Sequence, residues 1–312
     1  MVEVKNLIKR YGTHLAVDDI SFTIDKGEIV GFLGPNGAGK TTTMNILTGY
    51  ISATAGEVSI NSNNVLDDPM KAKADIGYLP DSPPLYNNML VDEYLNFVCE
   101  IKKVARNGRS KMIAEIKEMV RISDMGKRMV GNLSKGYRQR VGLAQALVGY
   151  PKVLIFDEPT NGFDPKQIIE MRQVIKDLGE SHTLIISSHI LSEVQAMCDR
   201  ILIINRGKIV APDTALTQNT VMTVRIKGIK EDIIKAFGET PLFKTVTPLT
   251  SRESGTFDIE ISGGAGEDVR EAIFFCAAKN NMPILSMKAE VSLEEIFLAA
   301  TSAGGAANAG DS

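Results

Sequence analysis

The 312-residue chain is poor in the residues that build metal centres and disulfide frameworks. It has no tryptophan, three histidines and three cysteines. The cysteines, Cys99, Cys198 and Cys276, share no metal-binding or redox spacing, so we expect reduced, packed thiols. An excess of positive charge is missing too, because the formal net charge at pH 7 is −3. The composition therefore gives no reason to expect nucleic acid as a partner.

Long apolar segments are also missing. The longest apolar runs, such as those in RILIIN and TLIIS, have the size of strands and fall far short of the roughly 18 to 20 residues that cross a bilayer. The N-terminal stretch MVEVKNLIKR lacks the apolar centre of a signal peptide. These absences predict a cytoplasmic chain with neither a signal peptide nor a transmembrane segment.

The composition is that of a globular protein, 44% hydrophobic and 23% charged, and the length suits two domains. In residues 1–210, β-branched runs (EIVGFLG, KVLIFDEP, HTLIISSH and RILIINRGK) alternate with helical stretches. Such alternation is typical of a mainly parallel α/β sheet. Residues 211–220, APDTALTQNT, interrupt the pattern and are interpreted as a linker.

A smaller α+β domain is predicted for residues 221–301. Its strands and helices follow the order βαββαβ, which is the ferredoxin-like pattern, and SLEEIFLAAT adds a last helix. In TFDIEIS the apolar residues alternate with Asp258 and Glu260, so we expect this strand to have one buried face and one face in water. Residues 302–312 are small and polar and are predicted to form a flexible tail.

The segment GPNGAGKTT fits the phosphate-loop pattern G-x-x-x-x-G-K-[ST] and lies between an apolar strand, IVGFL, and a helix-like TTTMNILTGY. Its glycines allow successive N–H groups to turn towards phosphates. Lys40 adds a positive charge for the β- and γ-phosphates, and the Thr41 hydroxyl can bind magnesium. The predicted nucleotide-binding residues of this loop are Gly34, Pro35, Asn36, Gly37, Ala38, Gly39, Lys40, Thr41 and Thr42.

Two acids follow the apolar strand in VLIFDEPT. Ligands of parallel sheets collect at the carboxyl ends of the strands, so Asp157 and Glu158 are placed at the reaction centre. Asp157 suits the magnesium shell, and Glu158 is the candidate general base or water-orienting group. Two acids after a strand are also a common start of a solvated loop, but their combination with the phosphate loop favours catalysis.

The stretch LSKGYRQR predicts a second anion site that the phosphate loop does not need. Ser134 can cap a helix that begins near Gly136, and the N–H groups there face outward from the helix terminus. Taken alone, the stretch is explained best as a helix cap.

Five motifs together, GPNGAGKTT, LSKGYRQR, VLIFDEPT, NGFDP and SSH, resemble the ATP-binding subunits of ABC transporters across residues 1–210. The segment IGYLPDSPPLYNNMLVDEYL and the C-terminal SLEEIFLAAT look most like an exporter branch that includes gliding-motility and sodium- or drug-efflux ATPases. The resemblance implies a P-loop ATPase domain with a helical subdomain that uses ATP and Mg²⁺. It also implies a homodimer, or a pair with a related ATPase subunit, that drives a separate transmembrane permease.

The resemblance assigns further roles by matching positions. In this family the signature stretch contacts the γ-phosphate of the nucleotide held by the other subunit, and two copies in head-to-tail arrangement use each site twice. Lys135 replaces the usual Gly of this signature, and Tyr137 stands near its Gln. Tyr11 would stack on adenine, and His189 would hold the γ-phosphate and the attacking water. The matching signature residues are Ser134, Lys135, Gly136 and Tyr137.

Other positions leave alternatives open. Asp164 of NGFDP belongs to the loop that crosses the dimer interface in the family, although it could be only a helix cap. Asp81 stands where the family usually has Gln; a carboxylate can bind magnesium but cannot donate a hydrogen bond, so metal binding by Asp81 stays open. His14 and His182 match no motif and are expected at the surface.

The loop around residues 81–95 is the predicted permease contact. It exposes Leu85, Tyr86 and Met89 among prolines and asparagines, which indicates either local packing or a partner surface. An alternative function is a non-transport ATPase of the same superfamily, such as a translation or DNA-maintenance factor. Those proteins usually carry two cassettes or a long coiled coil, and this sequence shows neither. A regulator without catalysis is disfavoured because Glu158 and His189 are both in place.

Overall fold

The computed structural model describes residues 1–215, 221–249, 253, 255–263 and 269–290. The chain divides into two compact units, and the division falls between Asp213 and Thr214. The predicted helix at 292–301 and the predicted tail at 302–312 lie outside the described residues. Among the helices of the described part, none is both long and apolar enough to span a membrane.

The first unit is built from ten strands and seven helices within its described residues. The strands are β1 Val2–Tyr11, β2 His14–Ile24, β3 Ile29–Leu33, β4 Ala55–Ile60, β5 Asn63–Asn64, β6 Ile76–Leu79, β7 Val153–Asp157, β8 Thr183–Ser188, β9 Arg200–Asn205 and β10 Lys208–Ala215. The helices are α1 Lys40–Leu47, α2 Pro69–Ala74, α3 Val91–Ile101, α4 Arg109–Met119, α5 Lys135–Leu147, α6 Pro165–Gly179 and α7 Leu191–Met197. Three short 3₁₀ turns occur at Arg106–Gly108, Ser123–Met125 and Val130–Asn132.

The larger sheet has the strand order β10-β9-β3-β8-β7-β6. Its strands from β9 to β6 are parallel. Every residue of β3, β7 and β8 is buried, which explains why these strands are continuous apolar runs without alternation. The predicted mainly parallel α/β sheet is confirmed.

The parallel order decides where the functional loops meet. The carboxyl ends of β3, β6, β7 and β8 lie together along one end of the sheet, because these strands are parallel neighbours in the order β3-β8-β7-β6. The loops that follow them carry, in turn, the phosphate loop, Asp81, Glu158 and His189. Residues that are up to about 150 positions apart in the chain are thereby brought to one place.

Two further parts of the first unit surround this sheet. A second sheet, in the order β2-β1-β4-β5, is antiparallel and was not predicted. Its apolar side chains, such as Val4, Ile20 and Ile60, join the same buried cluster as Phe32 of the central sheet. The helices α3, α4 and α5 contact one another between β6 and β7 and form the implied helical part. The three cysteines are free and buried, as predicted.

Strand β10 extends into the segment interpreted as a linker. It continues to Ala215, five residues beyond residue 210, whereas residues 216–220 lie outside the described part.

The second unit has the element order βαββαβ. Its elements are β11 Val221–Lys227, α8 Lys230–Gly238, β12 Thr245–Leu249, β13 Thr256–Ser262, α9 Arg270–Lys279 and β14 Ile284–Glu290. The strands form an antiparallel sheet in the order β12-β13-β11-β14. Side chains of the sheet, such as Val224 and Ile259, pack with Phe237 of α8 and Ile273 of α9 in a separate buried cluster.

The prediction that β13 has one face in water is partly wrong. Ile259 and Ile261 are buried as predicted, but Asp258 is also buried. Its carboxylate accepts two hydrogen bonds from Arg225 on β11, from Nε at 2.8 Å and from Nη2 at 2.9 Å. The guanidinium therefore holds the pKa of Asp258 below its usual range. Alternation predicted the strand correctly, but it could not show that a cross-strand cation would cover the polar face.

We expect Asp258→Ala to lower the urea concentration at the unfolding midpoint of the second unit, because Arg225 loses the closer of its two carboxylate partners. A carboxyl group with a lowered folded-state pKa contributes stability above its unfolded pKa and loses it as pH falls. The variant and the parent should thus converge in acid. Urea unfolding at a series of pH values measures this, with Glu260→Ala on the same strand as the control; an equal effect of both variants would contradict it.

Candidate active site

The phosphate loop joins the end of β3 to the start of α1. Gly37 and Gly39 have φ angles of +79° and +107°, which side chains rarely adopt. A Cβ atom at residue 39 would also lie 2.5 Å from the carbonyl oxygen of Ala16. Gly39 is therefore required by both backbone conformation and space, and Gly37 by backbone conformation alone; together they bring the N-terminus of α1 to the loop.

The side chain of Lys40 is almost completely buried within this loop. Its Nζ donates hydrogen bonds to the carbonyl oxygens of Gly34 at 2.7 Å and Pro35 at 3.2 Å. The same atom lies 3.3 Å from Oε1 of Glu158. The ammonium group thus links the phosphate loop to the acid that follows β7.

A cleft of about 640 Å³ opens beside the loop. It brings together most of the residues that the sequence singled out, from the loops after β3, β6, β7 and β8 and from the β1–β2 hairpin. Its lining residues are Tyr11, His14, Ala16, Asn36, Gly37, Gly39, Lys40, Thr41, Thr42, Asp81, Glu158, Asn161 and His189. His14 was expected to be an unrelated surface residue; it is exposed, but it lines the cleft because it is paired with Tyr11 across the β1–β2 turn.

Glu158 and His189 form the acid–imidazole pair of the cleft. Nδ1 of His189 lies 2.8 Å from Oε2 of Glu158, whose side chain is only 13% exposed. Glu158 also has a φ angle of +49°, and its N–H donates to Oγ of Ser187 at 3.0 Å. A positive φ is uncommon for a residue other than glycine and costs free energy, so the surrounding fold must hold Glu158 in this conformation.

Asp157 lies beneath the cleft and is 1% exposed. Burial raises the pKa of Asp157 above its usual range, although hydrogen bonds from the hydroxyl groups of Ser187 and Thr41 act in the opposite direction. The Thr41 hydroxyl and the Asp157 carboxylate are therefore adjacent. Oxygen atoms of this kind are the ligands that Mg²⁺ prefers.

Asp81 differs from Asp157 in its contacts and in its exposure. One of its carboxylate oxygens, Oδ1, accepts a hydrogen bond of 2.8 Å from Nδ2 of Asn161. Both side chains are exposed in the cleft. His182 lies away from the cleft, where its Nδ1 is 3.0 Å from the carbonyl oxygen of Leu178 in α6.

The signature residues do not line the cleft of their own chain. Ser134 is the N-cap of α5, and its hydroxyl accepts a hydrogen bond of 3.4 Å from the N–H of Tyr137. Ser134, Lys135 and Tyr137 are exposed, whereas Gly136 is buried. A Cβ atom at residue 136 would lie 2.9 Å from Oε1 of Gln167 in α6, so the helix terminus packs closely on the neighbouring helix.

Asp164 caps α6 in the same manner. Its Oδ1 accepts a hydrogen bond of 2.9 Å from the N–H of Gln167. The preceding Gly162 has a φ angle of +75°, and a Cβ atom there would overlap with Nζ of Lys135. The NGFDP loop and the signature stretch therefore lie side by side within one chain.

Sequence reasoning missed Asn161, Ser187 and Glu193. Glu193 of α7 is 3% exposed, and its Oε2 accepts hydrogen bonds from Oγ1 of Thr160 at 2.5 Å and Oγ of Ser188 at 3.4 Å. It thereby connects the loops that carry Glu158 and His189. The available signal was an acid in the first turn of a helix, which is too common near helix N-termini to single out a site.

Comparison with known proteins agrees with this geometry. The model of a family described as ABC transporter matches residues 17–161. The linearmycin resistance ATP-binding protein LnrL of Bacillus subtilis (strain 168) is 32% identical over 306 residues, which are 96% of this chain and 97% of that protein. The bacitracin transport ATP-binding protein BcrA of Bacillus licheniformis is 39% identical over 211 residues, 67% of this chain and 68% of that protein.

Solved structures show the same fold. The dimeric structure of MJ0796, a bacterial ABC transporter cassette, superimposes with a TM-score of 0.62 at 27% identity and covers 68% of this chain and 97% of that one. The post-hydrolysis dimer of the same cassette with ADP and Pi gives 0.62 at 26% identity, over 68% and 97% of the two chains. With the phosphate loop, Glu158 and His189 in one cleft, this chain belongs to the ABC transporter family as an ATP-binding, ATP-hydrolysing subunit.

Proposed function

We propose that the chain powers an exporter: two subunits, identical or related, bind ATP between them and drive a separate transmembrane permease. The observation that carries this proposal is the single cleft in which the phosphate loop, Glu158 and His189 meet. The transport and resistance names of BcrA and LnrL favour an exporter over the alternative of a translation or DNA-maintenance factor. The finer similarity to gliding-motility or sodium-efflux ATPases stays a prediction.

The cleft residues divide the reaction between them. Lys40 neutralises the β- and γ-phosphates, and its contact with Glu158 places the acid next to the γ-phosphate position. Glu158 acts as the general base for the attacking water, while His189 orients it and holds the γ-phosphate. Tyr11 is about half exposed in the same cleft, so its ring is accessible to the adenine base.

Thr41 and Asp157 would hold the magnesium ion. The two groups are adjacent and offer the hydroxyl and carboxylate oxygens that suit this ion. Within the part of the chain that the structure describes, no group of three or more His, Cys, Asp and Glu residues could hold a metal. A magnesium site that takes its remaining ligands from water and nucleotide phosphates fits that observation. When bound, the ion would offset phosphate charge.

The signature stretch supports the dimer. Ser134, Lys135 and Tyr137 are exposed at the N-terminus of α5 but do not reach the cleft of their own chain. In a two-fold, head-to-tail pair this terminus would face the γ-phosphate bound by the partner subunit, with Asp164 and its loop beside it. Hydrolysis would then release the closed pair, which is a population shift between closed and open states.

A groove of about 680 Å³ offers a surface for the permease near residues 81–95. Five aromatic residues line it, and among them Tyr86 is 52% exposed and makes edge contacts with Tyr94 and Phe97. Leu85 and Met89 were expected to be exposed but are half-buried. The backbone of Met89 is held by Val130, whose N–H donates a hydrogen bond of 2.9 Å to the carbonyl oxygen of Met89.

The same proposal predicts where the chain lies in the cell and how it is divided into domains. Bound to the permease, it would lie at the cytoplasmic face of the cell membrane as a peripheral subunit. We assign residues 1–210 to the ATPase and 221–301 to an accessory domain. The sheet order β12-β13-β11-β14 supports a ferredoxin-like fold for the latter. LnrL matches over both regions, so the accessory domain is expected to serve the same transport function.

Mixing two inactive variants tests whether the signature acts across the dimer. Ser134→Arg should block closure with its bulky cation, and Lys40→Ala should spoil the phosphate loop. Each composite site takes its phosphate loop from one chain and its signature from the other. A mixed dimer therefore contains one intact site and one doubly altered site, and we expect ATPase activity to recover partially on mixing, measured as phosphate release.

Ser134→Ala is the matched control, because it removes the cap but adds no bulk; loss of a cap costs about 1 kcal/mol of stability. If Ser134 only caps α5, the two Ser134 variants should hydrolyse ATP alike. Sedimentation of the same mixture detects ATP-dependent dimers in case both sites must work together. The contact across the dimer would be refuted if the mixture shows neither hydrolysis nor dimers and Ser134→Arg alone behaves like the parent.

A further inference from the structure

Asp81 and Asn161 connect two loops of the cleft that are far apart in the sequence. Asp81 follows β6 by two residues and Asn161 follows β7 by four, and these strands are parallel neighbours. The bond from Asn161 Nδ2 to Asp81 Oδ1 is 2.8 Å long. A carboxylate can only accept, so the amide of Asn161 must present its NH₂ group to Asp81. The pairing thus fixes the orientation of the Asn161 side chain.

Asn161 also closes the turn that carries the proposed base. Its N–H donates a hydrogen bond of 3.1 Å to the carbonyl oxygen of Glu158. Glu158 itself is held at a φ angle of +49°, a conformation that its surroundings must maintain. A constraint on Asn161 is therefore a constraint on the turn that positions the Glu158 carboxylate.

The other partner of the bond is tied to the helical part of the chain. Pro83, two residues beyond Asp81, packs on α5 so closely that a Cβ atom at Gly142 would lie 2.6 Å from its Cγ. The segment continues to α3, which begins at Val91. A continuous series of contacts therefore leads from α5 through Pro83, Asp81 and Asn161 to Glu158.

We infer that Asp81 is a positioning residue, whose carboxylate fixes the Glu158 turn through Asn161 and links it to the helical part, and that it is not a ligand of the magnesium ion. Its carboxylate is engaged by the amide of Asn161. The inference rests on the proposed role of Glu158 as the base.

Exchanging the two side chains tests the bond. Asn161→Asp places two carboxylates against each other and should lower kcat by tenfold or more, on the order of the loss that misplaced catalytic groups cause. KM for ATP should change little. The double variant Asp81→Asn/Asn161→Asp restores a donor and an acceptor in exchanged positions, at the net charge of the parent. We expect it to recover most of the lost kcat.

The design separates pairing from other effects. The double variant keeps the new carboxylate at residue 161, so recovery cannot come from removing it. Asp81→Ala, which has no acceptor, should be slower than Asp81→Asn, which keeps one. Circular dichroism and the binding of a fluorescent ATP analogue show that each variant folds and binds nucleotide, so that a change in kcat alone reports the position of the base.

Two measurements test the alternative that Asp81 is a metal ligand. One is the magnesium concentration that gives half-maximal activity. The other is manganese binding to the nucleotide complex, followed by electron paramagnetic resonance. A positioning residue predicts that both stay unchanged in the double variant. The inference is overturned if the double variant is as slow as Asn161→Asp, or if it needs tenfold more magnesium. Even if the inference fails, the proposed function stands as long as the parent protein hydrolyses ATP and the Glu158→Gln variant is inactive.

Discussion

Glu158→Gln is expected to lower the rate of ATP hydrolysis by roughly a hundredfold or more while ATP binding persists, because a positioned general base contributes about that factor. The substitution keeps the size of the side chain, so the turn and the phosphate loop should stay in place. It removes the negative charge that lies 3.3 Å from Lys40 and 2.8 Å from His189. An amide at this point cannot take the proton of the attacking water.

Bound ATP that is not hydrolysed should also hold the dimer closed. Single-turnover phosphate release measures the chemical step, and sedimentation with ATP measures the accumulated dimer. Glu180→Gln, an exposed acid just beyond α6, is the control and should behave like the parent. Near-normal hydrolysis by purified Glu158→Gln would remove Glu158 from the role of base.

Lys40→Ala should abolish ATP hydrolysis and strongly weaken nucleotide binding, since this cation serves both. The structure gives a second reason for a large effect. Lys40 is 5% exposed, and its Nζ bonds to the carbonyl oxygens of Gly34 and Pro35 across the loop. The truncation therefore removes the charge for the phosphates and also the bonds that hold the loop in shape.

Titration calorimetry with ATP and magnesium measures the change in affinity, and the loss of ATP-dependent dimers should accompany it. The variant Lys26→Ala removes an exposed lysine in the turn before β3 and serves as the control. An unchanged affinity in Lys40→Ala would contradict the assignment of the phosphate loop.

The parts of the site that the sequence predicted are those governed by local rules. Gly37 and Gly39 are required where they stand because the backbone there takes positive φ angles, so a short pattern suffices to find the loop. The buried strand before Asp157 is likewise visible as a continuous apolar run. The position of His189 came from the match of its SSH motif to the family, whereas the order of the strands appears only in the structure.

The parts that the sequence did not predict depend on contacts between distant segments. The bond between Asp81 and Asn161 spans 80 residues, and neither residue type prescribes the other. The positive φ angle of Glu158 contradicts the local preference of glutamate and exists only because the folded surroundings enforce it. Glu193 was overlooked for a similar reason, since only the fold reveals that its carboxylate is buried between two loops.

The loops that carry Lys40, Asp81, Glu158 and His189 all follow the carboxyl ends of central strands, so the turns at the opposite ends of these strands are suitable for labelling. The turns that enter β3 and β8 from that side carry Lys26 and Glu180, both exposed and neither lining the cleft. The three native cysteines are buried. A single cysteine introduced at either turn should therefore react selectively with a maleimide dye, and a donor–acceptor pair on two subunits would report their approach in real time without touching the nucleotide.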